Sequence, residues 1–517
     1  MPGRSRVAMR ISDKADGIPF DRVTARMDET ENQFRAARLE KLVALRRLGI
    51  EPYPYAFPVT ATAAALDDKY RELAAGAMTE DAVAVAGRVR AMRNNGLFID
   101  LHDASGKIQI FSHADSLAPG QLQIMRLLDI GDIIGVDGKV RRTPRGQLTI
   151  NATRLTLLTK SLLPLPEKYH GLADIETRYR QRYLDLIMSE QSRDTLQKRS
   201  RIIAAIRRLL TARGFLEVET PMLQAIPGGA AAKPFITHHN ALDIDLYLRI
   251  SPELYLKRLL VGGVSDRVFE INRNFRNEGI SPRHNPEFTL LELYEAYVDY
   301  HAMMELTELL VAETAREVCG GTRITYQGQA IDLTPPWARR SMADLVLEHT
   351  GIDFLAIDGA AAARDEARRL GIEIAETATW GHALYAAFEA RVEATLIQPV
   401  HVTGFPREVS PLTKADRDDP RLTERFETFI HGGEYANAYS ELNDPIDQLR
   451  RFEAQMRERE RGDEEAQRLD KDFLTALEYG MPPAGGLGIG IDRLVMLLTD
   501  SATIRDVIAF PTLRPRG

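Results

Sequence analysis

The chain has 517 residues, of which 44% are hydrophobic and 27% charged, and its formal net charge is −7 at pH 7. This length exceeds what a single hydrophobic core serves, so two or more domains are expected, and the acidic balance does not exclude a nucleic-acid partner because local patches decide that question. The single cysteine, Cys319, excludes a disulfide framework and a thiolate metal cluster and fits a reducing cytoplasm, and the lack of an apolar stretch of roughly 18 residues argues against a membrane span.

Residues 1–30 are predicted to be a variable or disordered tail. Their basic start lacks an apolar core and therefore does not have the pattern of a secretory signal. Residues 32–49, NQFRAARLEKLVALRRLG, combine an apolar stripe with a basic face at helical spacing. This amphipathic helix is expected either to dock on the surface of the protein or to contact RNA.

Residues 83–160 change to a period of two, in five short runs of β-forming residues that Gly-containing turns separate. Five such strands in so short a span predict a small barrel of the five-stranded oligonucleotide-binding type. These barrels bind single strands through stacked aromatic rings and hydrogen bonds to base edges. Arg88, Phe98 and Gln109 are the residue types that such a face needs, although the strand pattern also allows a barrel with no nucleic-acid role. Helix and barrel together are assigned to one domain, residues 31–160.

Residues 161–180 contain a Pro-punctuated stretch and are predicted to be a linker to a second domain, residues 181–517. In that domain TLQKRSRIIAAIRRLLTARGF has apolar residues at helical spacing, and the helix is expected to end at Gly214. FLEVETPML then predicts a strand that stops at Pro221, which has no N–H to donate. Residues 335–395, rich in Ala and charge, are predicted to be helices inserted between the strands of a sheet.

FRNEGISPRHNPEF, residues 275–288, lies between two strings of β-type residues and predicts a long antiparallel hairpin with a charged tip. A guanidinium on a rigid strand can hold a carboxylate or a phosphate in a bidentate fork, and Arg276 is the candidate for such a clamp. The alternative is an ion-pair lattice on a sheet surface. The density of charge around the tip favours a functional site.

RFETFIHGGEYANAYSELNDP, residues 425–445, carries a second set of polar residues. Glu427 and Glu434 are separated by a turn, so they are expected to face each other across a hairpin and to suit Mg²⁺, a hard ion that prefers oxygen ligands. Asn437, Tyr439 and Glu441 alternate, which places them on one strand face. The alternative is a hairpin with a solvated acidic edge.

GGLGIGIDRLVMLLTD, residues 485–500, predicts a Gly-rich strand that leads into an apolar helix with Arg493 near its start. Glycines in a strand permit the close approach of a ligand. The spacing is not that of a dinucleotide fingerprint, and the chain contains no GxxxxGK[ST] phosphate loop. An ATP site here would have to use arginines on strands, so the three sets of residues together indicate phosphoryl or nucleotidyl transfer.

Three of these strings, in chain order, resemble motifs 1, 2 and 3 of the class II aminoacyl-tRNA synthetases: the helix and strand that end at Pro221, NFRNEG…RHNPEF, and GLGIGIDRL. The barrel resembles the anticodon-binding domain of the subgroup for aspartate, asparagine and lysine. PGGAAAKPFITHHNALDIDLYLRISPELYLKRL and SELNDP are similar to its lysine-specific members. The resemblance extends from about residue 30 to the C-terminus and implies an α+β catalytic domain with an antiparallel sheet.

The resemblance implies roles for the charged hairpin. Arg276 is expected to contact the amino-acid carboxylate and the α-phosphate of ATP, and Glu278 the adenine amino group. Phe288 and Arg493 would sandwich the adenine ring, with Arg493 forming a cation–π stack. Arg276 and Arg493 are therefore the expected catalytic residues. The remaining phosphates are assigned to Arg283, His284 and Asn285.

The resemblance also implies a lysine pocket, a metal site and a contact with tRNA. Glu427 and Glu434 match Mg²⁺ ligands, and Arg88, Phe98 and Gln109 match residues that read a uridine of the anticodon. The amino-acid contacts are expected at Gly229 and Glu253 for the α-amino group, at Tyr294 and Glu441 for the ε-ammonium group, and at Arg276, Glu292, Asn437, Tyr439 and Gly490 around them.

The implied reaction is the ligation of lysine to tRNA(Lys). The α-carboxylate of lysine, ionised at pH 7 because its pKa is about 3.5, would attack the α-phosphorus of ATP without a protein base. Pyrophosphate leaves, and the terminal ribose hydroxyl of the tRNA takes the lysyl group from the adenylate. Motif 1 implies a homodimer, and the expected location is the cytoplasm.

The residue types favour lysine independently of the resemblance. A cationic side chain needs carboxylates and a phenol oxygen, which Glu292, Tyr294 and Glu441 offer, whereas an aspartate pocket needs arginine or lysine. The alternatives are an aspartyl or asparaginyl enzyme of the same architecture, or a non-catalytic tRNA-binding paralogue. The presence of Arg276, Glu427, Glu434 and Arg493 argues against loss of catalysis.

Overall fold

The computed structural model describes residues 29–118, 120–166, 174–460 and 468–515. The tail predicted for residues 1–30 therefore lies outside the described residues, except for its last two, which begin the first helix. The chain divides into two compact units, Met1–Gly171 and Leu172–Gly517. In the described ranges, no helix is long and apolar enough to cross a membrane.

The first unit is built around the predicted five-stranded barrel, which is confirmed. Its strands close in the order β1-β2-β3-β5-β4, and every neighbouring pair is antiparallel except β3 with β5. Its elements are α1 (Glu29–Arg47), α2 (Ala63–Lys69), β1 (Met78–Arg93), β2 (Phe98–His102), β3 (Lys107–Phe111), α3 (Gln121–Leu127), β4 (Ile133–Arg142) and β5 (Leu148–Thr159).

The period-two pattern of the barrel strands puts their apolar residues inside. Val85 and Val89 of β1 are fully buried, and a bulge after Val89 bends the long strand so that it pairs with both β2 and β4. Asn94 and Asn95 adopt left-handed backbone conformations in the turn between β1 and β2. Asn tolerates this region, which is why the string NNG predicts a tight hairpin turn.

Helix α1 docks on the barrel, so the surface-helix interpretation is confirmed. Leu45 is buried in the core of the first unit. Lys41 pairs with Asp129 at 2.6 Å, and the guanidinium of Arg38 donates to backbone carbonyls of the same unit. Beside them, the fully buried ammonium of Lys160 lies 2.5 Å from Asp129 and 2.9 Å from Asp132. Two basic residues of the helix, Arg38 and Lys41, are thus used for docking, whereas Arg46 and Arg47 are exposed.

The second unit contains a mostly antiparallel sheet of eight strands in the order β14-β15-β16-β17-β18-β11-β10-β6, which confirms the expected sheet. The two outermost pairs, β14 with β15 and β10 with β6, are parallel. Two smaller sheets have the orders β12-β13 and β7-β9-β8. The strands are β6 (Leu216–Glu217), β7 (Leu223–Gln224), β8 (Ile236–His239), β9 (Ile244–Leu248), β10 (Arg267–Phe275), β11 (Glu287–Ala296), β12 (Arg323–Tyr326), β13 (Gln329–Asp332), β14 (Ala338–Ser341), β15 (Val400–Pro406), β16 (Leu422–Ile430), β17 (Gly433–Ser440) and β18 (Ala484–Gly490).

Helices cover this sheet and bury its apolar side chains. The first of them lies at the end of the predicted linker, whose residues 167–173 are outside the described ranges. Three helices occupy the stretch predicted as a helical insertion and share a core of their own. The helices are α4 (Ile175–Arg180), α5 (Arg182–Met188), α6 (Glu190–Thr211), α7 (Glu253–Val261), α8 (Tyr300–Cys319), α9 (Met342–Thr350), α10 (Ala360–Arg369), α11 (Trp380–Arg391), α12 (Pro445–Glu460), α13 (Lys471–Glu478), α14 (Ile491–Leu498) and α15 (Ile504–Val507).

The predicted charged hairpin and Gly-rich strand are both present, and the structure shows that they are neighbours in the large sheet. β10 and β11 pair without interruption from Arg267 with Glu295 to Phe275 with Glu287. β18 lies between β11 and β17 and leads directly into α14. The side chains of two polar strands therefore flank a strand made largely of glycine.

The prediction of one continuous strand that ends at Pro221 is wrong, because the strand is only two residues long. β6 comprises Leu216 and Glu217, which pair with two residues of β10. Beyond Val218 the chain leaves the sheet, because Pro221 has no N–H for a ladder and Thr220 turns its hydroxyl to Glu270, to which it donates at 2.7 Å.

Candidate active site

The first part of the site is a buried cluster that we call the carboxylate pocket: Glu253, Lys257, Glu292, Tyr294 and Glu441. Glu253 begins α7, and Glu441 directly follows β17. Glu292 and Tyr294 are two residues apart on β11 and share one face of that strand. All five side chains are buried. The structure therefore brings together four of the residues predicted to contact the amino acid.

Ser251 connects the carboxylate of Glu292 with the backbone at the start of α7. Its Oγ donates to Glu292 Oε1 at 2.8 Å and accepts from the backbone N–H of Glu253 at 3.0 Å. Tyr294 donates from its hydroxyl to the other oxygen of Glu292 at 3.4 Å. Sequence reasoning missed Ser251, although a serine just before a helix start is a recognisable capping residue.

Burial controls the protonation of the pocket. It raises the pKa of Glu292 to about 8, with the charge of Glu253 adding to the effect. It also raises the pKa of Glu441 to about 8, against the lowering effect of Lys257. Burial raises the pKa of Tyr294 as well, so the phenol keeps its proton at neutral pH. A cation that entered the pocket would favour the ionised carboxylates.

Lys257 is the pocket residue that sequence reasoning missed. Its Nζ lies 2.5 Å from Glu253 Oε1 and 2.5 Å from Glu441 Oε2, and the side chain is fully buried. The signal in the sequence is its position four residues after Glu253 in a helix, which places the two side chains on the same face. A lysine of the protein thus already bridges two carboxylates.

Two glycines leave the space that the pocket needs. Gly229 has a left-handed backbone with φ of +85°, and a Cβ there would lie 2.9 Å from Glu253 Cβ and from Ser251 Oγ. A Cβ on Gly486 of β18 would overlap Glu441 Oε1 and lie 2.6 Å from the Tyr294 ring. Gly486 therefore makes room for side chains of the protein itself, where the sequence suggests room for a ligand.

Asn437 and Tyr439 alternate along β17 and share one face, as predicted. In β18 their cross-strand partners are Gly488 and Gly486, respectively. Asn437 Oδ1 is buried and accepts no hydrogen bond from the described residues, and neither does Glu441 Oε1. The region around the pocket thus holds more buried acceptors than donors.

Arg276 lies at the mouth of the charged hairpin. Its backbone N–H donates to Pro286 O at 2.9 Å, and its guanidinium carbon lies 5.1 Å from the centre of the Phe288 ring. Its buried Nε has no hydrogen-bond acceptor in the described part of the chain. Glu278 is exposed beyond it. The geometry leaves a guanidinium donor to be used by a ligand.

Arg493 connects the tip of the hairpin with β17. It donates to the backbone carbonyl of Glu434 at 2.7 Å, to its carboxylate at 3.2 Å and to His284 Nε2 at 3.2 Å. Burial and the charge of Arg493 lower the pKa of His284, so its imidazole is neutral and its Nδ1 donates to Ser281 Oγ at 2.8 Å. Gly490 belongs to this region, because a Cβ there would lie 3.8 Å from Arg493.

The other two residues assigned to phosphates already have partners within the protein. Arg283 donates to Gly432 O at 2.7 Å and so reaches the turn between β16 and β17. The amide of Asn285 donates to Glu287 O at 2.6 Å and accepts from the N–H of Thr512 at 3.3 Å. Asn285 therefore connects the start of β11 with the segment near the C-terminus.

Glu427 and Glu434 are not cross-strand partners, so the prediction that they face each other is wrong. Glu427 pairs with Asn437, and Glu434 pairs with Phe429. A bulge after Thr428 shifts the register and separates the two carboxylates along the hairpin. They nevertheless lie close enough for the charge of Glu434 to affect Glu427.

The donor set around Glu427 and Glu434 fits Mg²⁺ only with help from a ligand. Burial raises the pKa of Glu427 to about 8, with Arg425 opposing and Glu434 adding to the rise. Burial also raises the pKa of Glu393, with the charges of Glu389 and Glu434 adding to the effect. Such a concentration of carboxylates suits a hard cation. Yet in the ranges that the structure describes, no three acidic, His or Cys side chains are arranged to hold an ion by themselves. Phosphate oxygens commonly complete such a magnesium site.

The outer face of the barrel carries the residues predicted to contact nucleic acid, but two of them already form hydrogen bonds within the protein. Gln109 accepts from Thr149 Oγ1 at 3.0 Å, and Arg88 donates to Gly131 O at 2.8 Å. Phe98 is partly exposed, and its ring centre lies 5.2 Å from that of its cross-strand partner Phe111.

Phe111 and Arg141 extend this aromatic face and were missed by sequence reasoning. The guanidinium carbon of Arg141 lies 4.2 Å from the centre of the Phe111 ring. The alternation of KIQIF could have identified Phe111, because it lies two residues after Gln109 and so on the same face. Together with Phe98 they form a surface on which bases can stack.

Comparison with known proteins agrees with this division. Residues 174–514 match the family described as tRNA synthetases class II (D, K and N), and residues 83–158 match the family described as OB-fold nucleic acid binding domain. A protein of Moorella thermoacetica named lysine–tRNA ligase is 56% identical, over 94% of this chain and 99% of its own length. Proteins of the same name from Sinorhizobium medicae and Trichormus variabilis are 54% and 53% identical, over 95% and 94% of this chain and 99% and 89% of their own lengths.

Gly486→Ala is expected to lower the free energy of unfolding by about 1–3 kcal/mol, because the new methyl group would force Glu441 and Tyr294 from their positions. Urea unfolding followed by circular dichroism measures the change. Gly488→Ala is the matched control, since its nearest neighbour would be 3.7 Å away, and its effect should stay within about 0.5 kcal/mol. Equal stability of the two variants would contradict the crowding at Gly486.

Proposed function

The chain belongs to the class II tRNA synthetases of the D, K and N group, an ATP-dependent ligase family, and we propose that it joins lysine to tRNA(Lys). Its near-full-length identity to proteins named lysine–tRNA ligase favours lysine over aspartate and asparagine. The observation that carries the proposal is the carboxylate pocket. It contains three buried carboxylates, and oxygens of Glu441 and of the nearby Asn437 accept no hydrogen bond from the described residues.

The pocket discriminates by charge. Aspartate would bring a further carboxylate next to Glu253, Glu292 and Glu441, and carboxylates that are buried together disfavour one another's ionised form. Asparagine would supply an amide that neutralises none of them. Lysine supplies two ammonium groups, each with three N–H donors, for buried oxygens that have no donor from the described residues. A diammonium ligand is therefore the best match.

We assign the two ends of the amino acid as follows. Gly229 and Glu253 contact the α-amino group, and Tyr294 and Glu441 contact the ε-ammonium group. The α-carboxylate is assigned to Arg276, whose Nε lacks an acceptor in the described part of the chain. The side chain then lies along β17 and β18, in contact with Glu292, Asn437 and Tyr439, while Gly490 lies nearer to the nucleotide.

The nucleotide is assigned to the hairpin and to α14. Phe288 and Arg493 hold the two faces of the adenine ring, and Glu278 accepts from its amino group. Arg493 now donates to Glu434 and His284, so nucleotide binding has to exchange these contacts for contacts with the ligand. The phosphates are assigned to Arg276, Arg283 and His284, with Asn285 beside them.

The chemistry needs no nucleophile from the protein. An oxygen of the lysine carboxylate forms a bond to the α-phosphorus of ATP, and the bond from that phosphorus to the β-phosphate oxygen breaks, releasing pyrophosphate. Arg276 neutralises charge at the reacting phosphate and holds the carboxylate in line. A ribose hydroxyl of the tRNA then displaces AMP from the adenylate. Glu427 and Glu434 would hold Mg²⁺, which when bound supplies positive charge to the phosphates.

The barrel is assigned to the anticodon. Phe98 offers a ring face for stacking, while Arg88 and Gln109 offer polar groups for a base edge. Phe111 and Arg141 are added to this assignment because they continue the same face. Local cations and stacking thereby let a chain with a net charge of −7 hold RNA.

We further propose that the protein acts in the cytoplasm as a homodimer through the region of motif 1. The second unit exposes apolar side chains on the edge strand β6 and on the small sheet β7-β9-β8. An edge strand with exposed apolar neighbours is a surface that normally becomes covered. The exposed residues are Leu216, Leu223, Ile236 and Ile244.

Arg276→Ala is expected to slow lysine-dependent ATP–pyrophosphate exchange by about 100-fold or more, because it removes a fixed positive charge from the reacting phosphate. The exchange rate at saturating lysine and ATP is the measurement. Arg323→Ala removes an exposed guanidinium from the separate hairpin β12–β13 and should leave exchange unchanged. Wild-type exchange rates in the Arg276 variant would refute the clamp.

Phe98→Ala is expected to weaken aminoacylation of tRNA about tenfold or more, since stacking of one base on an aromatic ring contributes about 1–3 kcal/mol. Exchange with lysine alone should be unchanged, because that reaction needs no tRNA. Tyr55→Ala, which removes an exposed aromatic ring elsewhere in the first unit, is the control for both assays. Equal losses in exchange and aminoacylation would mean that the barrel does not act through tRNA.

Sedimentation velocity is expected to show a dimer for the wild type and a shift toward monomer for Ile236→Asp. A carboxylate in the middle of an apolar interface loses its hydration without gaining a partner. Val59→Asp places the same charge at an exposed apolar residue of the first unit and should leave the dimer intact. A monomeric wild type at micromolar concentration would refute the proposed dimer.

A further inference from the structure

Lys257 carries a buried ammonium group that has no part in the proposed binding of lysine, ATP or tRNA. It forms ion pairs with Glu253 and Glu441, each at 2.5 Å, and its Nζ lies 5.9 Å from the centre of the Tyr294 ring. Its partners are the two carboxylates assigned to opposite ends of the amino acid. The ammonium therefore touches both halves of the binding site.

The position of this ammonium is set by helix α7. Leu254, Leu256 and Leu260 of the same helix are buried, so the helix cannot turn Lys257 toward solvent without exposing apolar side chains. A buried ammonium group must also keep its ionic partners, because breaking a buried pair by removing one member leaves an uncompensated charge. The contacts to both carboxylates are thus a fixed part of the fold.

Lys257 leaves room for a ligand at the same carboxylates. It forms an ion pair with Oε2 of Glu441, and neither oxygen of that carboxylate accepts a hydrogen bond of good geometry from the described residues. It contacts Oε1 of Glu253, and each carboxylate has two oxygens that accept. The ammonium therefore holds both groups without using up their capacity, so that a second cation can bind beside it.

The charges of the pocket also match one kind of ligand. With Glu253, Glu292 and Glu441 ionised and Lys257 protonated, these four groups together have two negative charges in excess, while Arg425 acts on Glu253 and Lys414 on Glu441 from outside the cluster. Lysine brings two ammonium groups, and its carboxylate is assigned to Arg276. Without Lys257 a third negative charge would be left over, and burial would favour its protonation.

We propose that Lys257 is a positioning residue that fixes the span between Glu253 and Glu441 and thereby selects the length of a diammonium substrate. The inference rests on the proposed lysine activity. Because one nitrogen contacts both carboxylates, their relative position is fixed, and we expect the pocket to discriminate against ornithine, which is one methylene shorter than lysine. If the ammonium of Lys257 is removed, Glu441 can move toward a shorter ligand, and the pocket no longer discriminates between ligands of different length.

The experiment compares ATP–pyrophosphate exchange with lysine and with ornithine in the wild type, Lys257→Met and Lys257→Gln. The neutral variants should raise the KM for lysine about tenfold or more with a smaller change in kcat. They should also lower the ratio of kcat/KM for lysine to that for ornithine about tenfold, since a single methylene is discriminated by roughly 10–200-fold in a rigid pocket. Lys257→Arg keeps the cation and should restore part of the ratio.

Lys160→Met is the matched control. Lys160 is also fully buried and also bridges two carboxylates, Asp129 and Asp132, but in the first unit. It should lower the temperature of unfolding and leave the ratio between lysine and ornithine unchanged. Loss of stability alone therefore cannot imitate the expected result.

The outcomes separate this inference from the function on which it rests. Wild-type protein that shows no lysine-dependent exchange would overturn the proposed activity. Wild-type protein that exchanges with lysine, together with a folded Lys257→Met or Lys257→Gln that keeps both the KM for lysine and the ratio to ornithine, would overturn the role of Lys257. Circular dichroism establishes that each variant is folded, and Lys257→Gln retains a donor for the carboxylates should the methionine variant unfold.

Discussion

Glu253, Glu292 and Glu441 are buried together, and the rest of the catalytic unit depends on satisfying these three carboxylates. A buried carboxylate must be paired, hydrogen-bonded or protonated. The structure uses each solution in part: Lys257 bridges two of them, Ser251 donates to the third, and burial raises the pKa of Glu292 and of Glu441 to about 8. These carboxylates can accept further positive charge, and the ammonium groups of a lysine substrate supply that charge.

The sheet makes this arrangement possible because it places a glycine strand between two polar strands. Tyr294 on β11 and Glu441 at the end of β17 extend over Gly486, where any larger residue would collide with them. The same order of strands carries Asn437 past Gly488 toward Glu292. At the other end of β18, Arg493 reaches Glu434 and His284. One strand thus connects the amino-acid pocket with the region assigned to the nucleotide.

Sequence periodicity was sufficient to predict the elements that depend on the local pattern of apolar residues and turns. The alternation and turns of residues 83–160 predict the barrel, and the strings around the charged tip predict the hairpin that β10 and β11 form. Contacts that depend on register or on tertiary packing could not be predicted in this way. The bulge after Thr428 separates Glu427 from Glu434, and the ion pairs of Lys257 require a helix to be placed against the end of a distant strand. The resemblance to a family supplies residue roles, but not the groups that hold those residues in place.

Buried carboxylates select a substrate with a cationic side chain. The identity of the adenylate that the protein forms is the most direct test of this selection. The protein is incubated with ATP, Mg²⁺ and an equimolar mixture of the standard amino acids, with pyrophosphatase present, and the bound product is identified by mass spectrometry. The account predicts lysyl-adenylate, because lysine alone brings two ammonium groups to the pocket. Aspartyl- or asparaginyl-adenylate as the main product would contradict it.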